Sequence, residues 1–201
     1  RRQRQMCIRD SLCADAYRAL SNADIAFVNG GGIRKQIEAG DITLDDIYSV
    51  HPFGNTMCVI RVTGQQVLDA LEWGARAVPS ENGGFLQVSG LTYEIHTGVA
   101  SSAEKDENGM FTRVSGEYRV KNVMVGGQPL ELDKTYTLAS HNYMLLGHGD
   151  GYTMFDGCEV LGEDMMVDNQ VLITYITTTL GGVVGEQYAN PYGDGRIVAV
   201  E

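Results

Sequence analysis

The sequence predicts an α+β fold, a single domain of mixed β-sheets packed with helices. Three observations carry this expectation. Helical and strand-like segments interleave without the regular period of a doubly wound parallel sheet, and several strand-like runs are joined by short turns. Hydrophobic residues make up 43% of the 201-residue chain, the ordinary content of a globular protein with a real core.

Each element has its own justification. Leu12, Ala16, Ala19 and Leu20 share one face of a short amphipathic helix over Ser11–Leu20. Ile25–Val28 reads as a buried strand that ends at Gly30-Gly31-Gly32. Thr43, followed three places on by Asp46, is the pattern of an N-terminal cap and opens a helix through Tyr48. Met57–Val62 is rich in β-branched residues and predicts a strand. Val67, Leu68, Leu71 and Ala75 recur at helical spacing, so Gly64–Val78 predicts a core-facing helix.

After a loop at Ser80–Gly84, alternation from Phe85 through Val88 and Leu91 to Ile95 predicts strand structure. Gly98–Gly116 is polar, mixed in charge and without clear periodicity, which predicts a surface excursion. Tyr118–Val125 and Tyr136–Ala139 predict two further strands, with Gly126-Gly127 as the turn between them. Asp168 is placed to cap a helix with Val171, Leu172, Tyr175, Ile176, Thr179 and Leu180 on one stripe, stopped by Gly181-Gly182. Arg196–Val200 closes the chain as a strand.

The formal net charge of −11 disfavours nucleic acid as a partner, because neutralising phosphates supplies most of that affinity. The one dense basic group, Arg1, Arg2, Arg4 and Arg9, sits at a terminus. No apolar run approaches the ~20 residues that span a bilayer. The chain begins Arg-Arg-Gln-Arg with no signal peptide visible, and it reads as a fragment or processed piece. Cys7, Cys13, Cys58 and Cys158 are widely spread and read as buried thiols. His51, His96, His141 and His148 are scattered without metal-ligand spacing, so no metal site is expected within the chain.

The most informative motif is Phe27-Val28-Asn29-Gly30-Gly31-Gly32-Ile33-Arg34. Three consecutive glycines strip every β-carbon from the turn, so the backbone amides can approach a ligand and positive φ is accessible. Asn29 supplies an amide and Arg34 a rigid fork of donors suited to phosphate or carboxylate. A tight turn beside a surface arginine reads the same motif without a ligand. The dinucleotide pattern G-x-G-x-x-G fails, since Lys35 stands at the third glycine, and no G-K-[ST] follows to make a P-loop.

Three more motifs follow in order: Val50-His51-Pro52-Phe53-Gly54-Asn55, then Gly83-Gly84-Phe85-Leu86-Gln87-Val88-Ser89-Gly90, then Asn142-Tyr143 leading to Gly149-Asp150-Gly151-Tyr152. In this order and at these separations the set resembles the C-terminal, substrate-binding domain of the 5'-nucleotidase family, secreted or periplasmic metallophosphoesterases of the bacterial 5'-nucleotidase and UDP-sugar hydrolase type. Gly195-Arg196-Ile197 resembles that family's last strand. The likeness runs from about Leu12 to Val200, so residues 12–201 are expected to form the domain and residues 1–11 an atypical leading segment.

The resemblance implies a layered sandwich that binds the nucleoside portion of a nucleotide. Arg34 and Asn29 match residues near the phosphate. Phe53 matches one of two rings that sandwich the base, and Tyr143 the other, with Met144 as the alternative because the spacing to Asp150 is one residue longer than usual. Asp150 matches a carboxylate that accepts the ribose hydroxyls, and Asn55 and Gly83 match positions at the base edge. Base stacking contributes ~1–3 kcal/mol per ring whatever the base, and a carboxylate on a diol favours nucleosides over simple esters.

No second phosphate-side arginine can be assigned. The family's two divalent metal ions and its catalytic residues lie in an N-terminal metallophosphoesterase domain that this chain lacks. The resemblance therefore implies a nucleotide-binding part of a hydrolase that binds no cofactor itself and is inactive alone, pairs with that N-terminal domain, and works outside the cell, at its surface or in the periplasm. A non-catalytic nucleoside-binding or scaffolding module, or the same domain from a UDP-sugar hydrolase or cyclic-nucleotide phosphodiesterase, is the alternative.

Overall fold

A computed structural model describes residues 7–35, 37, 40–188 and 194–201. Arg1, Arg2 and Arg4 lie outside the described residues, as do the side chains of Cys7 and Arg9. The chain forms mixed sheets packed with helices, as its alternating pattern predicts.

The central sheet has five strands. β1 (Ile25–Asn29) runs parallel to β9 (Thr135–His141) and antiparallel to β3 (Leu86–Ser89), while β2 (Met57–Thr63) pairs antiparallel with β9 and with β10 (Glu159–Gly162). Both faces of this sheet are covered, and the strands show it residue by residue. In β1, Ile25 and Phe27 join one buried cluster while Ala26 and Val28 join the other, and in β2 Cys58 and Ile60 alternate with Met57 and Val59 in the same way. A strand buried on both faces needs an uninterrupted apolar run, which is what Ile25–Val28 supplies.

On one face lie α1 (Cys7–Ser21), α2 (Leu44–Val50) and α5 (Asp168–Thr174), packed through Leu12, Ala16, Tyr17, Ile47, Val171 and Leu172. On the other lies α3 (Gly64–Ala75), and beyond it a four-stranded sheet of β4 (Leu91–His96), β7 (Val120–Val125), β8 (Gln128–Pro129) and β11 (Ile197–Val200). Helix α3 touches both sheets, so it is buried nearly all round, with Val67, Leu71 and Trp73 closed from solvent. Capping boxes open two helices: Thr43 and Asp46 on α2, Thr63 and Gln66 on α3.

Several expectations are corrected. The Gly126-Gly127 turn joins β7 to β8 within the outer sheet, and the Tyr136 strand belongs to the central one. The polar stretch at 98–116 carries a hairpin of β5 (Ala103–Lys105) and β6 (Phe111–Val114); Phe111 anchors it edge-on against Trp73 at 5.7 Å, with Ala103 and Val114 packed against the same core. Asp168 does not cap α5: it is the first helical residue, and Val167 holds the cap position. The helix also widens into a π-turn at Tyr175–Thr179 before the glycines. Cys13 and Cys58 are buried, while Cys158 is only half-buried.

Candidate functional site

Strand direction alone gathers the four motifs. Because β1 and β9 are parallel, both finish at the same edge of the central sheet. β3 runs against β1 with Leu86 opposite Asn29, and β2 runs against β9 with Met57 opposite His141. The glycine turn after β1, the loop before β2, the glycines before β3 and the segment after β9 therefore share one edge. Crevices at the carboxyl ends of parallel strands are where open α/β sheets take ligands.

The glycine turn is a single 3-10 turn, Gly30–Gly32, and none of its glycines takes positive φ. Its glycines serve close approach instead. The amide of Gly30 donates to the Phe85 carbonyl at 2.9 Å and that of Gly31 to the Gly83 carbonyl at 2.8 Å, so two amides expected to face a ligand are bonded within the protein. Gly83 thus enters the site as a partner of the first motif. Asn29, only 4% exposed, directs both atoms of its amide inward: Nδ2 donates to Asp150 Oδ2 at 2.6 Å, and Oδ1 meets His141 Nε2 at 3.0 Å.

Asp150 sits in a left-handed conformation with φ 55°. Its carbonyl accepts from Trp73 Nε1 at 2.9 Å, which ties the turn to α3. Tyr143, in α4 (Asn142–Leu145), donates its hydroxyl to Asp150 Oδ1 at 3.3 Å. Its ring lies on Gly149, where a Cβ would come within 2.2 Å of the ring carbons, so glycine there is a steric requirement. Tyr143 is 44% exposed whereas Met144 is fully buried, which leaves Tyr143 as the ring that can meet a ligand. The tyrosine hydroxyl is held above its ordinary range by partial burial first and then by the Asp150 charge.

Phe53 is 59% exposed, and the Arg34 guanidinium lies over its ring, 5.8 Å from the centroid. Arg34 also donates to the Gly31 carbonyl at 3.2 Å, which connects this pair to the glycine turn. Asn142 ties the Phe53 loop to the Tyr143 helix: its Oδ1 accepts from the Thr56 amide at 3.1 Å and its own amide donates to the Thr56 carbonyl at 2.8 Å. Asn55 turns toward Asp168, bonding its carboxylate through side chain and backbone. Burial is the larger influence there and pushes Asp168 up to about 6.

The edge thus offers two exposed rings, a carboxylate with unused acceptor capacity and an arginine on the surface. Two contributors escaped the sequence reading. Trp73 carried a signal, as the sole tryptophan of the chain. His141 carried none, because only the pairing of β1 with β9 brings it to Asn29. Among the described residues, no group of three or more His, Cys, Asp or Glu is placed to hold a metal ion. No helix among them is long and apolar enough to cross a membrane.

A family model described as the C-terminal domain of 5'-nucleotidase matches residues 2–157. The chain is 35% identical over 193 residues to the trifunctional nucleotide phosphoesterase protein YfkN of Bacillus subtilis, covering 96% of this chain and 12% of that protein. It is 34% identical over 165 residues to a 5'-nucleotidase of Vibrio parahaemolyticus, covering 82% of this chain and 26% of the relative. The crystal structure of a 5'-nucleotidase precursor from Thermus thermophilus superposes with a TM-score of 0.77 at 31% identity, over 96% of this chain and 35% of that one. The chain therefore spans only a minor part of each of these relatives.

Proposed function

The chain belongs to the family of 5'-nucleotidase C-terminal domains, and from that premise we propose that the sheet edge carrying the four motifs binds the nucleoside half of a nucleoside 5'-phosphate and presents the phosphate ester to a metal-bearing companion domain. The observation that carries this reading is the arrival of all four motifs at one edge of the central sheet, where Arg34 bonds to Gly31, Gly31 to Gly83 and Asn29 to Asp150. In this reading Phe53 and Tyr143 stack on the base and Asp150 accepts the ribose hydroxyls. Arg34 faces the phosphate, with Asn29 beside it acting through Asp150. Gly83 and Asn55 border the base edge.

Division of labour follows from chemistry. Hydrolysis of a phosphate ester at neutral pH needs a strong nucleophile and stabilisation of the leaving oxygen, which a pair of divalent ions supplies when bound. The described residues offer no ligand set for such ions, so this domain's own part is binding and orientation. Residues 12–201 form the binding domain, inactive without its N-terminal metallophosphoesterase partner, and the whole protein acts at the cell surface, in the periplasm or outside the cell.

Equilibrium binding of adenosine and AMP to the 201-residue chain tests the reading. Saturable binding at millimolar ligand or below is expected, and Phe53→Ala should weaken it about 10-fold through loss of one stacking face. Binding that never saturates would favour a scaffolding module, and an unchanged affinity in the variant would remove Phe53 from the site.

A further inference from the structure

We propose that His141 is a positioning residue for ribose recognition: it holds the Asn29 amide in one orientation, and that amide sets the plane of the Asp150 carboxylate. The proposal rests on the reading of Asp150 as the ribose acceptor.

The hydrogen-bond directions along this chain of side chains are forced. An ionised carboxylate only accepts, so the 2.6 Å contact between Asn29 Nδ2 and Asp150 Oδ2 has the amide NH2 as donor. Asn29 Oδ1 must then face the other way, and it meets His141 Nε2 at 3.0 Å. The amide oxygen only accepts, so Nε2 carries the proton. Burial lowers His141 to about 4, so the ring is neutral near pH 7 and its lone pair falls on Nδ1. Nδ1 is indeed a buried atom with no hydrogen-bond partner. Without the imidazole N–H, a rotated Asn29 would lose little at Oδ1. Rotation sets oxygen against the carboxylate in either case; with the imidazole present it also sets NH2 against N–H, so both ends of the amide are held.

Two features of the surroundings fit this role. Ser140, next to His141, donates to the Phe27 carbonyl at 2.6 Å, so the end of β9 is fastened to β1 where the bridge forms. A Cβ at Gly32 would stand 2.7 Å from Asn29 Oδ1 and 3.7 Å from His141 Nε2, so the third glycine leaves room for the bridge. The far side of Asp150 is held by the Tyr143 hydroxyl at 3.3 Å. Each carboxylate oxygen is engaged once by the protein, and a vicinal diol can approach the remaining lone pairs in a defined plane.

Two measurements decide the matter. Nitrogen-15 NMR of the imidazoles should find His141 neutral and protonated at Nε2 at pH 7; the Nδ1–H tautomer or a doubly protonated ring would overturn the bridge. Adenosine and 2',3'-dideoxyadenosine should then be titrated into the wild-type chain, His141→Phe and His141→Gln. The wild type should prefer adenosine about 10-fold, as expected of hydrogen bonds to a charged acceptor. His141→Phe should lose most of that preference while its dideoxy affinity changes less than about twofold, and His141→Gln, which keeps an N–H at similar reach, should restore it. A parallel loss for both ligands would mean a merely structural histidine and overturn the proposal. Preference retained by His141→Phe would overturn it while leaving the ribose reading intact; no preference in the wild type would defeat the ribose reading and this role together. Should the phenylalanine variant fail to fold, the tautomer measurement on the wild type still decides the bridge.

Discussion

Asp15 and Asp150 are both half-buried carboxylates bonded to residues far away in sequence, yet their acceptor sites are filled to different degrees. Asp15 receives four donors: Arg196 Nη1 at 2.6 Å and Ser89 Oγ at 2.5 Å on Oδ1, Arg196 Nη2 at 2.8 Å and the Tyr188 hydroxyl at 2.8 Å on Oδ2. A carboxylate has about four lone-pair sites, so Asp15 is saturated and clips the closing strand to α1. Asp150 receives two side-chain donors, Asn29 and Tyr143, and keeps about half its capacity. Counting filled acceptor sites thus separates a saturated acid from one that keeps acceptors open.

The largest effect expected from this contrast is on stability. Asp15→Ala removes the acceptor shared by Arg196, Ser89 and Tyr188 and leaves the guanidinium to Asp194 and the Val88 carbonyl, so urea denaturation should show a loss of about 2–3 kcal/mol. A loss below ~1 kcal/mol would show that saturation does not mark a structural role.

Stability should also fall with acid, for a reason located beneath the glycine turn. Burial lowers His141 to about 4; His51 is also lowered to about 4, by burial first and then by the neighbouring His141. Both take up a proton on unfolding as the pH drops below their ordinary 6.5. Asp168 runs the other way: raised from 3.8 to about 6, it releases a proton on unfolding between those values. At pH 5 two uptakes oppose one release, leaving a net uptake of about one proton and a stability that falls by about 1 kcal/mol per pH unit. Denaturation midpoints between pH 7 and 4.5 check this; constant or rising stability on acidification would contradict it.

Smaller still is the stability change expected at the cleft. Asp150→Asn keeps an acceptor for Asn29 and should cost less than ~1 kcal/mol, but it removes the charge that favours a diol. Discrimination between ribose and 2',3'-dideoxyribose ligands should shrink, and equal discrimination in variant and wild type would overturn the assignment of Asp150.

How much of this was legible beforehand depends on the range of the interaction. The Thr43–Asp46 capping box and the Ile25–Val28 strand are local, and the residues concerned announce them. Gly126-Gly127 announced a turn but not its partner, because the short β8 has no periodicity to betray it. Phe111 shows why the 98–116 stretch was misread: one buried ring, with Ala103 and Val114 packed beside it, suffices to anchor a hairpin that is otherwise mostly polar. Phe53, Tyr143 and Asp150 could be picked out as members of an ordered set, while their convergence depends on strand direction. The inward turn of Asn29, the bonded amides of Gly30 and Gly31 and the diversion of Asn55 to Asp168 are long-range pairings that no local pattern encodes.

The central claim is that Phe53, Gly83, Tyr143 and Asp150 border one nucleoside-binding cleft. Its most direct test is an adenosine titration of the chain followed by backbone amide NMR. The account predicts that the amide signals of all four residues move together and saturate with a single dissociation constant, while those of Asp15 and Arg196 stay still. Shifts confined to one motif, or none at millimolar adenosine, would contradict it.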